Sequence, residues 1–387
     1  MAGIYIHIPF CRQACHYCNF HFNTSLIRKN ELVACLLKEI EMRNPAAFHS
    51  DSPVIGNYLG DEKIETIYFG GGTPSLLEVE DCRLIIEKIK NEYPVDAHAE
   101  ITLEANPDDI NEQKLSGWRD AGSNRLSIGI QSFFEEDLKW MNRAHNAGQA
   151  RECIELSLKN GFIDISIDLI YGMPLLTDEK WKQNVDKAIS YNIPHLSCYA
   201  LTVEPKTPLQ KLIQHGNVQD INQDMQASQF FLLMKWMEEA GYEHYEISNF
   251  AKAGFRSRHN SSYWLGNKYL GIGPSAHSYN GISRQWNVSN NSIYIESLNS
   301  NKLPFEIETL STMQQMNEYI MTSLRTAEGL NLSYMENKWG KDATAVIQKE
   351  GKKFISTGKI RAENNMLKLT KEGKLLADGI ASAFFFT

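Results

Sequence analysis

Residues 4–18 read Ile4-Tyr5-Ile6-His7-Ile8-Pro9-Phe10-Cys11-Arg12-Gln13-Ala14-Cys15-His16-Tyr17-Cys18. Ile4–Ile8 is short, apolar and β-branched at alternate positions, and Pro9 ends it, so it predicts a strand. The strand delivers its chain directly into a loop carrying three thiols. The four remaining cysteines, at 35, 82, 153 and 198, lie far apart and do not cluster. Cys35, Cys82 and Cys153 sit in amphipathic helical stretches and Cys198 in a strand, where a free thiol serves as a small buried hydrophobe.

The same alternation recurs along the first two hundred residues. Strands are predicted over 64–69, 100–103, 125–130, 163–170 and 196–201. Helical periodicity lies between them, over 29–43, 81–92, 111–121, 148–160 and 178–191. Six β–α alternations predict an α/β fold in which a parallel sheet rolls into a full or partial barrel, and in such barrels chemistry sits at the C-terminal strand ends. A further amphipathic helix is expected over 220–242, then a Gly- and Tyr-rich segment to about 281. The barrel with its following segment is expected over 1–285, an Asn/Ser-rich linker over 286–304 and a second domain over 305–387. In that tail, helices over 311–325 and 342–357 precede two short strands around Asn364-Asn365, with Thr370 capping a last helix, the outline of a small winged-helix-like module.

Bulk composition excludes several classes. The 387 residues are 42% hydrophobic and 22% charged with net charge −8, an ordinary globular balance without a basic stripe for nucleic acid. No apolar run approaches a membrane span. The N-terminus lacks the basic region of a secretory leader, and sparse, odd-numbered cysteines suit a reducing compartment, so a cytoplasmic location is expected.

The chemistry concentrates in Cys11, Cys15 and Cys18. Thiolates are the soft ligands that iron–sulfur clusters need, and three of them on one loop leave the fourth iron of a [4Fe–4S] cluster open to another ligand. Zinc, with His16 or His21 as fourth ligand, and three unligated core thiols are the alternatives.

CxxxCxxC with an aromatic, here Tyr17, before the last cysteine resembles the radical S-adenosylmethionine superfamily. The flanking Tyr5-Ile6-His7-Ile8-Pro9-Phe10-Cys11 narrows the resemblance to the branch around oxygen-independent coproporphyrinogen III dehydrogenase and the HemW-like haem chaperones. The resemblance implies a partial (β/α)6 TIM-like barrel and a [4Fe–4S] cluster that reductively cleaves S-adenosylmethionine to methionine and a 5′-deoxyadenosyl radical. Gly70-Gly71-Gly72-Thr73-Pro74, after the second strand, corresponds to the loop that holds the methionine part of the cofactor. Glu104, Gln131, Arg143 and Asp168, at later strand ends or just beyond, match the family's cofactor-binding positions, and Tyr5 joins them by the same matching. A guanidinium can fork onto a carboxylate, while Glu, Gln and Asp suit hydroxyls and an amino group.

Within the branch the two activities divide. The dehydrogenases carry another cysteine two residues after the third, where this sequence has Phe20, and a longer segment ahead of the motif. Both departures favour the haem chaperones. His259-Asn260-Ser261-Ser262-Tyr263-Trp264 fits the HNxxYW pattern of that side of the branch. An imidazole can ligate haem iron, which makes His259 the first candidate for haem contact and His277 a weaker one. The expected partners are haem or another porphyrin, an apo-haemoprotein acceptor and a reductant protein.

Overall fold

The structure is a computed structural model, and it describes residues 2–44 and 58–387. The order of elements is β1 (Ala2–Ile8), α1 (Lys29–Met42), β2 (Ile64–Gly71), α2 (Val79–Glu92), β3 (Val95–Ala105), α3 (Glu112–Asp120), β4 (Arg125–Gln131), α4 (Glu135–Trp140), α5 (Ala147–Lys159), β5 (Asp164–Tyr171), α6 (Asp178–Ser190) and β6 (His195–Ala200). The six strands pair in parallel in sequence order, giving the partial (β/α)6 barrel.

Strand periodicity explains the two faces of this sheet. Side chains alternate across a strand, so residues two apart share a face. Ile4, Ile6, Ile8, Phe69, Leu103, Ile128, Ile167 and Leu196 are almost wholly buried and pack beneath the helices. The intervening positions turn into the lumen and are polar: Tyr5 and His7, Thr66 and Tyr68, Glu100 and Glu104, Arg125 and Ser127, Ser166 and Asp168, His195 and Ser197. Register carries them round in tiers, with Tyr5 beside Tyr68, Tyr68 beside Thr102, and Thr102 beside Arg125. A barrel lined in this way needs partners for its lumen groups. Arg125 is 1% exposed and ion-paired to Asp164 at 3.2 Å, and His195 spans Ser166 and Tyr245 at 2.7 Å on each side.

Helix starts follow their caps. Asn111, Asn146 and Thr177 accept from backbone amides at the heads of α3, α5 and α6. The predicted helix limits agree with these elements to within two residues.

The sheet runs further than the sequence pattern suggested. Beyond β6 come α7 (Pro208–Gln214), α8 (Gln223–Glu239), β7 (Glu243–Glu246), β8 (Asn249–Ala251), α9 (Arg258–Trp264), β9 (Lys268–Ile272), β10 (His277–Tyr279), β11 (Ser283–Asn287), α10 (Asn291–Asn299) and β12 (Phe305–Thr309). β8 and β7 extend one edge of the sheet, while β9, β10, β11 and β12 extend the other beside β1. The stretch 286–304, read as a linker, therefore holds the end of β11 and the helix α10, whose Tyr294, Ile295 and Leu298 are fully buried. β12 pairs with β11, so residues 305–309 belong to the large sheet and not to the second domain. Asn290 caps α10, and polar Asn/Ser content there marks a helix start and not a free connection.

The C-terminal domain has its own core around Ile320, Leu330, Met335, Ile347, Leu367 and Phe384. It comprises α11 (Thr312–Leu324), β13 (Leu330–Asn331), α12 (Leu332–Trp339), α13 (Lys341–Ser356), β14 (Ile360–Glu363), β15 (Met366–Leu369), α14 (Lys371–Lys374) and α15 (Ala377–Ala383). Asn364 and Asn365 both take positive φ in the β14–β15 turn, and Thr370 caps α14, as the sequence predicted. α13 begins behind Gly340 without a side-chain cap, and α12 had not been anticipated. No described helix is long and apolar enough to cross a membrane.

Candidate functional site

The cysteine loop leaves β1 at the C-terminal end of the barrel and is held there by distant parts of the chain. Cys11 N–H donates to Asn23 C=O at 3.1 Å and His16 N–H to Met141 C=O at 3.0 Å, while Leu209 N–H donates to His16 C=O at 2.8 Å. Asn142, in left-handed backbone conformation at φ 57°, donates its amide to Ala14 C=O and accepts from Gln13, both at 2.8 Å. Arg12 pairs with buried Asp109 at 2.8 Å, and Asp109 accepts from Ser75 Oγ at 2.7 Å. The loops after β1, β2, β3 and β4 are thus stitched into one rim.

The three thiols face that rim. Thr73 Oγ1 donates to Cys11 Sγ at 3.4 Å and Arg143 Nη1 to Cys15 Sγ at 3.2 Å. Each of the three retains partial exposure, whereas Cys35, Cys82, Cys153 and Cys198 are buried at 2% or less. Burial pushes the Cys11 thiol up to about 11 and raises Cys18, so both stay protonated until a metal displaces the proton. No group of three His, Cys, Asp or Glu among the described residues converges tightly enough for a single metal ion. Three thiolates that grip three different irons stand further apart than three around one zinc. The rings of His16 and His21 are turned to other partners, Trp140 C=O and Asn291 Oδ1, both at 2.8 Å.

Below the thiols, the expected cofactor residues share the barrel mouth. Arg143 reaches in from the turn after α4, and its second nitrogen, Nη2, donates to Asn106 Oδ1 and Gly129 C=O, each at 2.9 Å. Its Nε is buried with no partner among the described residues. Glu104 accepts from Tyr68 OH at 2.7 Å. Desolvation, with the Asp168 charge adding, pushes Glu104 up to about 7, and burial pushes Asp168 up to about 6. Both carboxyls keep some surface on the lumen, and among the described residues neither has a cation in hydrogen-bond contact. Two acids that resist ionisation together are a ready receptor for a positively charged ligand. Gln131 closes β4 at φ 65°, an outlier for a non-glycine residue at the mouth of the pocket. Tyr5 bonds His7 Nδ1 at 3.2 Å and stacks over Tyr68 at 6.1 Å.

The glycines also serve close packing of the loop. A Cβ on Gly71 (φ 107°) would strike the His7 ring, and one on Gly72 would strike the backbone of Ile8 and Phe10. Their bareness serves chain-to-chain packing that seats the cysteine loop, with Gly72 N–H donating to Ile8 C=O at 2.9 Å.

His259 lies elsewhere. It sits on α9 at the opposite, N-terminal end of the barrel, 1% exposed, and its ring stacks on Tyr68 at 4.8 Å. Its Nδ1 bonds Thr66 Oγ1 at 2.7 Å and its Nε2 bonds Tyr263 OH at 2.8 Å, while its backbone N–H donates to Glu100. Both ring nitrogens are engaged in a closed space, so this geometry offers no nitrogen to a haem iron. His259 plugs the floor of the barrel. Trp264 of the same motif lies under the Arg325 guanidinium at 5.3 Å, joining that floor to the C-terminal domain.

Asn106, Asp109, Tyr68 and Asn142 belong to the site and were not singled out from the sequence. Asn106 and Asp109 follow β3 directly in Asn106-Pro107-Asp108-Asp109, a strand-end cluster that offered the signal; Asn142 and Tyr68 offered none.

Two family models match the chain, Radical SAM superfamily over residues 5–188 and HemN C-terminal domain over residues 310–376. Heme chaperone HemW of Bacillus subtilis (strain 168) is 34% identical over 387 residues, covering 99% of each chain. The chain belongs to the HemW family of radical S-adenosylmethionine proteins. A second HemW, from Mycobacterium tuberculosis, is 32% identical over 98% of this chain and 93% of its own. The solved structure of coproporphyrinogen III oxidase (HemN) from Escherichia coli superposes with a TM-score of 0.83 at 21% identity, covering 99% of this chain and 90% of that one, a likeness of fold. Membership of this family implies a [4Fe–4S] cluster and S-adenosylmethionine, and the chemistry of the rim suits both.

Proposed function

We propose that this HemW-family protein binds a [4Fe–4S] cluster through Cys11, Cys15 and Cys18, holds S-adenosylmethionine at the barrel mouth, and carries haem to an apo-haemoprotein in the cytoplasm. The observation that carries this reading is the mouth itself: three part-exposed thiols, a guanidinium with an unpartnered Nε and two acids whose pKa values burial raises. Bound there, the cluster and sulfonium supply one-electron chemistry.

The residues divide the work. Arg143 offers its charge and its unpartnered Nε–H to the cofactor carboxylate, and Glu104 and Asp168 lose their protons to meet the cofactor's positive charge. Gln131 and Tyr5 bound the ribose and adenine side, Thr73 and the Gly71-Gly72 turn hold the cysteine loop against the pocket, and the aromatic floor excludes water. The haem half rests on the family, whose curated relatives bear the name haem chaperone, and on Phe20, which stands where the dehydrogenases have a cysteine. A reductant protein supplies the electron.

Anaerobic reconstitution with iron and sulfide, followed by haemin titration and transfer to an apo-haemoprotein, tests the reading. About four irons per chain, stoichiometric haem and transfer to the acceptor are expected. Turnover of coproporphyrinogen III without haem transfer would replace the chaperone with the dehydrogenase.

A further inference from the structure

Resting on that haem-binding reading, we infer that the haem site lies on the face of β10 and β11, with His277 as the axial ligand and Trp286 against the porphyrin plane. Three described histidines are exposed: His98, His215 and His277. Of these only His277 has an aromatic ring beside it, Trp286, its direct partner across the antiparallel pair, at 6.3 Å and 31°. Neither ring nitrogen of His277 carries a hydrogen bond among the described residues, in contrast to His259. Partial burial and the neighbouring Arg284 lower its pKa, which keeps the imidazole neutral and its lone pair available.

The local backbone is built for this exposure. A Cβ on Gly271 would strike His277 C=O, and Gly273 and Ser275 both take positive φ, so the turn from β9 brings β10 in tightly and leaves the His277 ring outward. One face then collects an imidazole, an indole and, two residues on, Tyr279, whose ring lies 6.1 Å from Tyr269. A neutral imidazole beside flat aromatic surface suits an iron porphyrin. Arg284 pairs with Glu318, and Glu306 and Glu308 lie opposite Trp286 and Arg284 on β12, so the propionate edge turns to solvent. The face adjoins the cofactor mouth, because His277 is an electrostatic neighbour of His7, which bonds Tyr5.

The test is haemin titration, under anaerobic conditions, of reconstituted wild-type protein, His277→Ala and Trp286→Ala, read by Soret absorption and by the axial-ligand signature in electron paramagnetic resonance. Iron content and thermal unfolding serve as fold controls. His277→Ala is expected to bind haem about tenfold more weakly or worse, to lose the histidine signature, and to regain it on adding free imidazole. Trp286→Ala is expected to weaken binding while keeping the signature. Wild-type binding with an unchanged His277→Ala spectrum and affinity would overturn this site and leave the haem reading standing. No haem binding by wild type would overturn both.

Discussion

The Arg143 guanidinium donates to the Cys15 thiol at 3.2 Å, joining the turn after α4 to the cysteine loop at the point where cluster and cofactor would meet. Its other nitrogen bonds Asn106 and Gly129, so the fork is fixed in orientation before any ligand arrives. Lysine keeps the charge and loses the fork. Arg143→Lys is expected to load iron and sulfide to the wild-type level yet bind S-adenosylmethionine roughly tenfold more weakly, about 1.4 kcal/mol. Equilibrium dialysis with the labelled cofactor, beside iron analysis, checks this.

Glu104 and Asp168 give a pH signature. Their folded-state pKa values, about 7 and about 6, stand above the unfolded values, chiefly through burial. The protonated forms favour the fold, so this contribution is fully present below the unfolded carboxyl values and is lost as pH rises from there through the folded values of about 6 and about 7. Cofactor-free Glu104→Gln is therefore expected to exceed wild type in stability at pH 8, by roughly 1–2 kcal/mol after allowing for water in the lumen. The same variant should bind S-adenosylmethionine poorly. Denaturant melts at pH 4 and pH 8 decide it, the two proteins converging at the lower pH.

Asn142 clamps the cysteine loop from a left-handed backbone position. Asn142→Gly removes the clamp and keeps the conformation, whereas Asn142→Ala removes the clamp and adds roughly 1–2 kcal/mol of strain. Both variants are expected to hold less iron after desalting. Both should melt lower than wild type through the lost hydrogen bonds, the alanine variant further than the glycine variant.

His259→Ala takes a plug from the barrel floor, with two side-chain hydrogen bonds and a ring stack. A loss of roughly 2–3 kcal/mol in unfolding free energy is expected. The haem spectrum of the folded protein should keep its wild-type form, and a changed axial signature would return the iron to the floor of the barrel.

The barrel was legible because its signals are repetitive. Ile4, Ile6 and Ile8, or Leu126, Ile128 and Ile130, announce one buried face at period two, and Asn146 or Thr177 marks a helix head. The mouth was legible through residue chemistry at strand ends, with Glu104 and Asp168 the clearest examples. The outer strands β7 to β12 were not, because segments of three to five residues such as His277–Tyr279 are too short for a period. The location of His259 was not either: a histidine on a short helix reads the same whether that helix caps the top or the floor. Only tertiary contacts to Thr66 and Tyr68 assign it.

The stitching of the cysteine loop has a consequence for biosynthesis. Residues 11–18 leave the ribosome well before groups that shape their loop, Met141, Asn142 and Leu209. Iron delivery thus has to wait for translation of more than half of the 387 residues, and a nascent chain stalled before residue 141 exposes three thiols without these partners.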